Sequence, residues 1–210
     1  FLMDYFRILH ENNENEFIEK YWTKAIEVIN WKDPANIKYF RIHRNLASIY
    51  DFTYSKNPNY NKVLHILVSA LTLLQSHDQK KIEVIVEKNR LISNQSWALI
   101  TKHQRKMTFD SKEFKKGFGQ LKKAKSDFKS LPKDKQNKVL KKHAYSLQNL
   151  NSPIQLSYVY MAKYKEAIPV LEEMLIHIDE NEKLKDAQKI YPINSLTGIH
   201  ATLGNLNQVI

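Results

Sequence analysis

Fifteen lysines or arginines stand between Lys102 and Lys142 against four acids, Asp110, Glu113, Asp127 and Asp134, so this fifth of the chain carries the whole formal excess of +11. Such a block attracts phosphate backbones, anionic lipids or an acidic protein surface by steering that weakens with salt. Lys122, Lys123, Lys125, Lys141 and Lys142 are the candidate contacts for an anionic partner. Fourteen of the fifteen are lysine and only Arg105 is arginine, whereas base-specific readout favours the bidentate guanidinium. The residue types therefore favour a solvated helix face, with an acidic protein partner and then a nucleic acid as the alternatives.

Other chemistry finds little material. Zinc enzymes place two histidines four apart on a helix and add a distant third ligand. None of the eight histidines is set that way, and His65, His177 and His200 read as core or boundary residues of apolar helices. No cysteine is present, which removes thiolate nucleophiles, sulfur-ligated metals and disulfides. Gly117-Phe-Gly119 lacks the spacing and the lysine-serine ending of a phosphate loop. Carboxylate pairs such as Glu172 with Glu173, or Glu16 with Glu19, read as solvated helix charges. The expectation is no catalytic residue, no metal and no cofactor.

Tyrosines combine an apolar body with a polar tip and suit a peptide groove. Tyr158 and Tyr164 fall at core spacing. Tyr160 and Tyr191 point differently and, with Asn149, Ser152 and Asn194 as side-chain hydrogen-bonding groups, form the candidate peptide-binding set.

The elements that must position these residues are helices. Four glycines and six prolines in 210 residues are too few for a sandwich or barrel. Asp33-Pro34, Asn57-Pro58 and Ser152-Pro153 read as helix starts, each a polar cap followed by a residue with preset φ. The spacing predicts helices over about 2–11, 15–30, 34–54, 58–76, 79–107, 110–129, 132–150, 153–162, 165–179 and 183–203. Phe114, Phe118, Leu121, Ala124 and Phe128 make one apolar stripe. The run from Val63 to Leu74 is a buried helix, far short of the ~20 residues that cross a membrane. Lys81 to Glu87 alternates like a strand but has no partner strand and is assigned to a helix.

Three columns repeat. Gly119, Ala162 and Gly204 are followed two positions later by Leu121, Tyr164 and Leu206, and five positions later by Ala124, Ala167 and Val209. A small residue between two helices permits a close turn. Ser152 to Leu175, with Tyr164-Lys-Glu-Ala167-Ile, Leu171 and Met174, resembles a tetratricopeptide repeat. Leu196, His200 and Gly204 are similar to that family's first helix and turn, and Leu46, Tyr50, Tyr60, Val63, Leu67 and Ala70 make a fainter pair. The period of 42 to 43 residues exceeds the family's usual ~34, and Pro169 falls inside the second helix.

This resemblance implies an all-α fold of antiparallel helix pairs stacked into a TPR-like α-solenoid, with helical pairs over 1–108 and clearer repeats over 109–210. It implies a protein- or peptide-binding module, the sensing or scaffold part of a larger bacterial signalling or transcription-regulatory protein. The alternative is a basic nucleic-acid-binding helical domain using residues 102–142. Without cysteine or a secretory leader, a cytoplasmic location is expected, although a periplasmic domain would have the same composition. Phe1 in place of an initiating methionine, and a last helix that breaks off after Gly204, suggest a fragment of a longer chain.

Overall fold

A computed structural model of the chain describes residues 15–51, 58–104, 106–181, 183–184 and 186–205. Every regular element among them is helical. The expected helix over 2–11, the Asn57 cap, Arg105 and the repeat positions Leu206 and Val209 lie outside the described residues. The chain divides into two compact units, residues 1–102 and 103–210.

In the first unit α1 (Asn15–Val28) is followed by a 3-10 turn (Pro34–Phe40), α2 (Arg41–Ile49), α3 (Tyr60–Leu74) and α4 (Ile82–Gln104), whose last two residues belong to the second unit. Asp33 accepts from the Ala35 amide at 2.8 Å, with Pro34 in the first turn. The predicted cap is thus in place, but it opens a 3-10 turn rather than an α-helix. The next cap is Asn59, which accepts from the Lys62 amide at 3.1 Å, so α3 starts two residues beyond Asn57-Pro58. Val63, Leu64, Ile66, Leu67, Ala70 and Leu74 bury the predicted apolar face. His65 belongs to the opposite face and is exposed, which corrects its reading as a core or boundary residue. Lys81 to Glu87 leads into α4, which begins at Ile82 and is buried on more than one side here, with Val84, Ile85, Val86 and Leu91 all inside.

Two features give this unit its character. Trp31, Phe40 and His43 pack ring against ring at 4.6–5.7 Å, and His77 meets the edge of Phe40 at 5.9 Å. Glu87 sits between Arg44 at 3.3 Å and Arg90 at 2.6 Å, its side chain only 9% exposed.

The second unit contains α5 (Lys112–Lys129), α6 (Lys133–Lys142), α7 (Ser146–Tyr160), α8 (Tyr164–Asp179), a 3-10 turn (Asp186–Lys189) and α9 (Ile190–Thr202). Ser111 caps α5 by accepting from the Phe114 amide, with Glu113 in the first turn and Lys129 in the last, as the helix dipole favours. Phe114, Leu121, Ala124 and Phe128 are buried along the predicted stripe. Helix α7 packs on both α5 and α8, and α9 packs on α8. Ala167, Leu171, Met174 and Ile199 form the core, with Tyr158 and Tyr164 against it as the spacing required.

Two expected helices are redrawn. Instead of 132–150 and 153–162, the break comes at His143–Tyr145, and Ser152-Pro153 starts no helix, because Pro153 is buried inside α7. The break is tertiary in origin: Ala144 packs with Ile178 and Leu184, and its carbonyl accepts from His177 Nε2 at 3.0 Å. Pro153 deprives the Asn149 carbonyl of its in-helix donor, yet the helix continues because Leu150, Asn151, Ile154, Gln155 and Ser157 are all buried around it.

The repeat register also shifts. Ala162 and Gly204 end α7 and α9 in the left-handed conformation, with φ of 55° and 75°. Gly119 does not share that position. It lies exposed in the middle of α5, with nothing near the place a Cβ would occupy. Among the described residues Met107, φ 51°, after α4, is also left-handed. Each of the three closes the same Schellman pair of bonds: Lys163 to Tyr158 at 2.8 Å, Asn205 to His200 at 2.9 Å and Thr108 to His103 at 3.1 Å are the outer members.

Candidate functional site

On α5 the residues Lys122, Lys125, Ser126 and Lys129 follow one another at helical intervals of three and four and share a face. Ile154 and Tyr158 do the same on α7, and Glu166, Pro169, Val170 and Glu173 on α8. These three lines border an open groove of about 690 Å³ within the second unit. Its floor is apolar, its α5 wall cationic and its α8 wall carries two carboxylates.

Glu173 occupies the centre of the polar wall. One carboxylate oxygen meets the Lys125 ammonium, the other lies 2.5 Å from Lys129, and Asn151 Nδ2 donates to the first at 3.3 Å. Lys125 is only 15% exposed and Glu173 21%, so this ion pair is largely withdrawn from water, whereas Lys129 at 54% stands at the rim. Burial works to raise the Glu173 carboxyl, but the hydrogen bonds and charges of the two lysines prevail and hold it below the usual carboxylate range. Burial likewise dominates at Lys125 and pushes its ammonium down despite Glu173. Asn151 is fully buried, and its Oδ1 has no hydrogen-bond partner.

The rim is also organised. Lys122 Nζ lies 5.0 Å from the centre of the Phe118 ring, and that ring meets Tyr158 edge-on at 5.2 Å. Burial, followed by the negative charge of Glu166, raises the Tyr158 phenol. Such a surface fits a ligand that presents carboxylates to α5 and an apolar side chain to Ile154, Tyr158 and Val170.

Of the sequence-derived basic set, Lys122 and Lys125 line the groove. Lys123 turns away to pair with Asp127 at 3.0 Å. Lys141 and Lys142 end α6, where the Lys141 carbonyl accepts from Lys183 Nζ at 2.6 Å. The peptide-binding set lies outside this groove, on α7 and α9, where Tyr160 and Tyr191 are close enough to influence one another. Asn149 Nδ2 lies 3.2 Å from His143 Nε2, Ser152 is half-buried and Asn194 is exposed. Tyr160 stacks on Phe109 at 5.1 Å, and Tyr191 donates to Gln155 at 2.6 Å.

Sequence reasoning missed Lys129, Asn151 and above all Glu173. The reading of Glu173 as a solvated charge is corrected by its burial; Glu172 beside it is exposed as expected. A signal existed in the Lys122, Lys125, Lys129 stripe, whose spacing matches the Glu166, Val170, Glu173 line. Glu19 is similarly engaged rather than only solvated, 2.7 Å from Lys62.

His103 gathers the remaining chemistry-bearing residues: Thr108 Oγ1 at 2.8 Å and Ser111 Oγ at 3.3 Å face Nδ1, and Glu113 lies 3.2 Å from Nε2. Ser, His and Glu are the residue types of a hydrolytic triad. Here the Ser111 oxygen is committed to capping α5, Thr108 shares the same ring nitrogen, and His103 is buried against Phe114. All four residues belong to the second unit, where the cluster holds the start of α5 against the segment that precedes it. Among the described residues no three His, Asp or Glu side chains are grouped to hold a metal, and no helix is long and apolar enough to cross a membrane. No family model, no curated protein and no solved structure matches the chain, so its functional reading rests on the groove.

Proposed function

We propose that the chain is a protein- or peptide-binding helical module whose groove between α5, α7 and α8 receives an acidic segment of a partner. The observation that carries this reading is the wall of Lys122, Lys125 and Lys129 facing an apolar floor. Lysines anchor carboxylates as flexible point charges, while an apolar side chain in the groove supplies burial. The pairing of α7 with α8, similar to a tetratricopeptide hairpin, supports a recognition role, since helical-repeat proteins bind partners along their stacked helices. A place within a larger signalling or regulatory protein is part of the same proposal.

The test is fluorescence anisotropy with a labelled oligoglutamate peptide carrying a central leucine, at low and moderate salt. Binding is expected to weaken with salt, and the double variant Lys122→Glu/Lys129→Glu, altered only at the more exposed positions, is expected to lose about tenfold or more in affinity. Equal binding by wild type and variant, or none by either, overturns the proposal. Labelled duplex DNA and single-stranded RNA run beside it. If they bind through the same lysines while the peptide does not, the site belongs to a nucleic acid.

A further inference from the structure

We propose that Glu173 is a resident occupant of the groove's anion site, which an incoming acidic segment must displace from Lys125 and Lys129, so that the groove rejects isolated carboxylates and accepts clustered ones. This inference rests on the reading of the groove as an acidic-partner site and deepens it by naming what selects the partner.

The argument begins with where the cations are. Lys125 is 15% exposed and is held among α5, α7 and α8. A cation so withdrawn from water needs an anion beside it at all times. Glu173 supplies that anion, and its carboxylate spans Lys125 and Lys129 with both oxygens while taking a third contact from Asn151. A ligand carboxylate placed in the same position leaves the local charge unchanged, and Glu173, which borders the groove on the α8 wall, can release its own charge into water. The exchange conserves charge and number of ion pairs.

Selection follows from concentration. A side chain tethered beside its partners acts at an effective concentration of roughly millimolar or more, so one free carboxylate at lower concentration cannot compete. A segment with several carboxylates and an apolar residue gains additional contacts at Lys122 and the floor, and these offset the displacement. The resident arrangement is itself imperfect, because the buried Asn151 Oδ1 lacks a donor. The apparent affinity is the intrinsic affinity multiplied by the fraction of molecules in which Glu173 has left its lysines.

Removing the charge while keeping the shape, Glu173→Gln, is expected to tighten the oligoglutamate peptide on the order of tenfold and to admit acetate as a competitor that the wild type ignores. Equal or weaker peptide binding by Glu173→Gln, with wild-type binding intact, overturns the resident-occupant inference and leaves the proposed function standing. Failure of both proteins to bind removes the proposed function and this inference with it. Should Glu173→Gln not fold, the wild type decides by carbon-detected NMR of the Glu173 carboxyl. Saturation with the peptide is expected to move its titration midpoint upward, since it leaves its two lysines. A midpoint unaffected by the peptide overturns the inference.

Discussion

Each unit sets one glutamate between two cations, and the two arrangements serve different ends. In the first unit Glu87 lies between Arg44 and Arg90, and in the second Glu173 lies between Lys125 and Lys129. Glu87 is 9% exposed, shares its helix with Arg90 and is met by Arg44 from α2, both arginines being less than a third exposed. Glu173 borders an open groove, and one of its lysines is more than half exposed. An arginine fork is preorganised and weakly hydrated, whereas a lysine ammonium swings on a flexible stem. The same charge pattern thus fastens a core in one place and offers an exchangeable site in the other.

The largest effect expected from this contrast is on stability. Glu87→Gln leaves two arginines without their buried counterion and is expected to lower the stability of the first unit by about 3–5 kcal/mol. Glu173→Gln leaves Lys125 without its counterion but Lys129 open to water, and is expected to cost less, about 1–3 kcal/mol. Urea unfolding followed by circular dichroism measures both. Equal losses would break the contrast.

The first unit also buries a histidine. His43 is 2% exposed among Trp31 and Phe40, and burial pushes its imidazole from about 6.5 down to about 4. An unfolded chain therefore takes up the proton first as pH falls, so the stability is present above pH 6.5 and is lost on descending toward 4. The loss approaches about 3 kcal/mol. All three tryptophans, Trp22, Trp31 and Trp97, belong to the first unit, so their fluorescence during urea unfolding at pH 7 and pH 4.5 reports that unit alone. His43→Leu is expected to flatten the dependence. A dependence that persists in His43→Leu would assign the acid sensitivity elsewhere.

The smallest effect sharpens the account of the second unit. Ala162 takes a left-handed φ that costs an alanine strain and a glycine none. Ala162→Gly is expected to raise thermal stability by about 0.5–1 kcal/mol, without altering peptide affinity. A destabilised variant would mean that the alanine side chain contributes more than the strain it bears.

Much of the helical content was legible because it depends on local rules. The Asp33-Pro34 start, the buried stripe Phe114, Leu121, Ala124, Phe128 and the helical state of Lys81 to Glu87 follow from capping and from a period of 3.6. The failures arise where a distant contact overrules a local signal. Ser152-Pro153 has every mark of a helix start, but the turn at His143–Tyr145, tied by His177 to the Ala144 carbonyl, begins the helix earlier. Gly119 matched Ala162 and Gly204 by spacing, while Met107, which no small-residue pattern would select, takes the equivalent left-handed place.

The chain's letters alone determined its helical class, which faces turn inward and where the excess positive charge lies, because hydrophobic period and charge are properties of neighbours in sequence. Only the tertiary structure decided which lysines act together. Lys122, Lys125 and Lys129 share a groove because α7 and α8 bring Tyr158 and Glu173 opposite them, and Lys123, one residue away, faces Asp127 on its own helix. A side chain's burial and its counterions are set by the helix it packs against, and that partner is separated from it by dozens of residues.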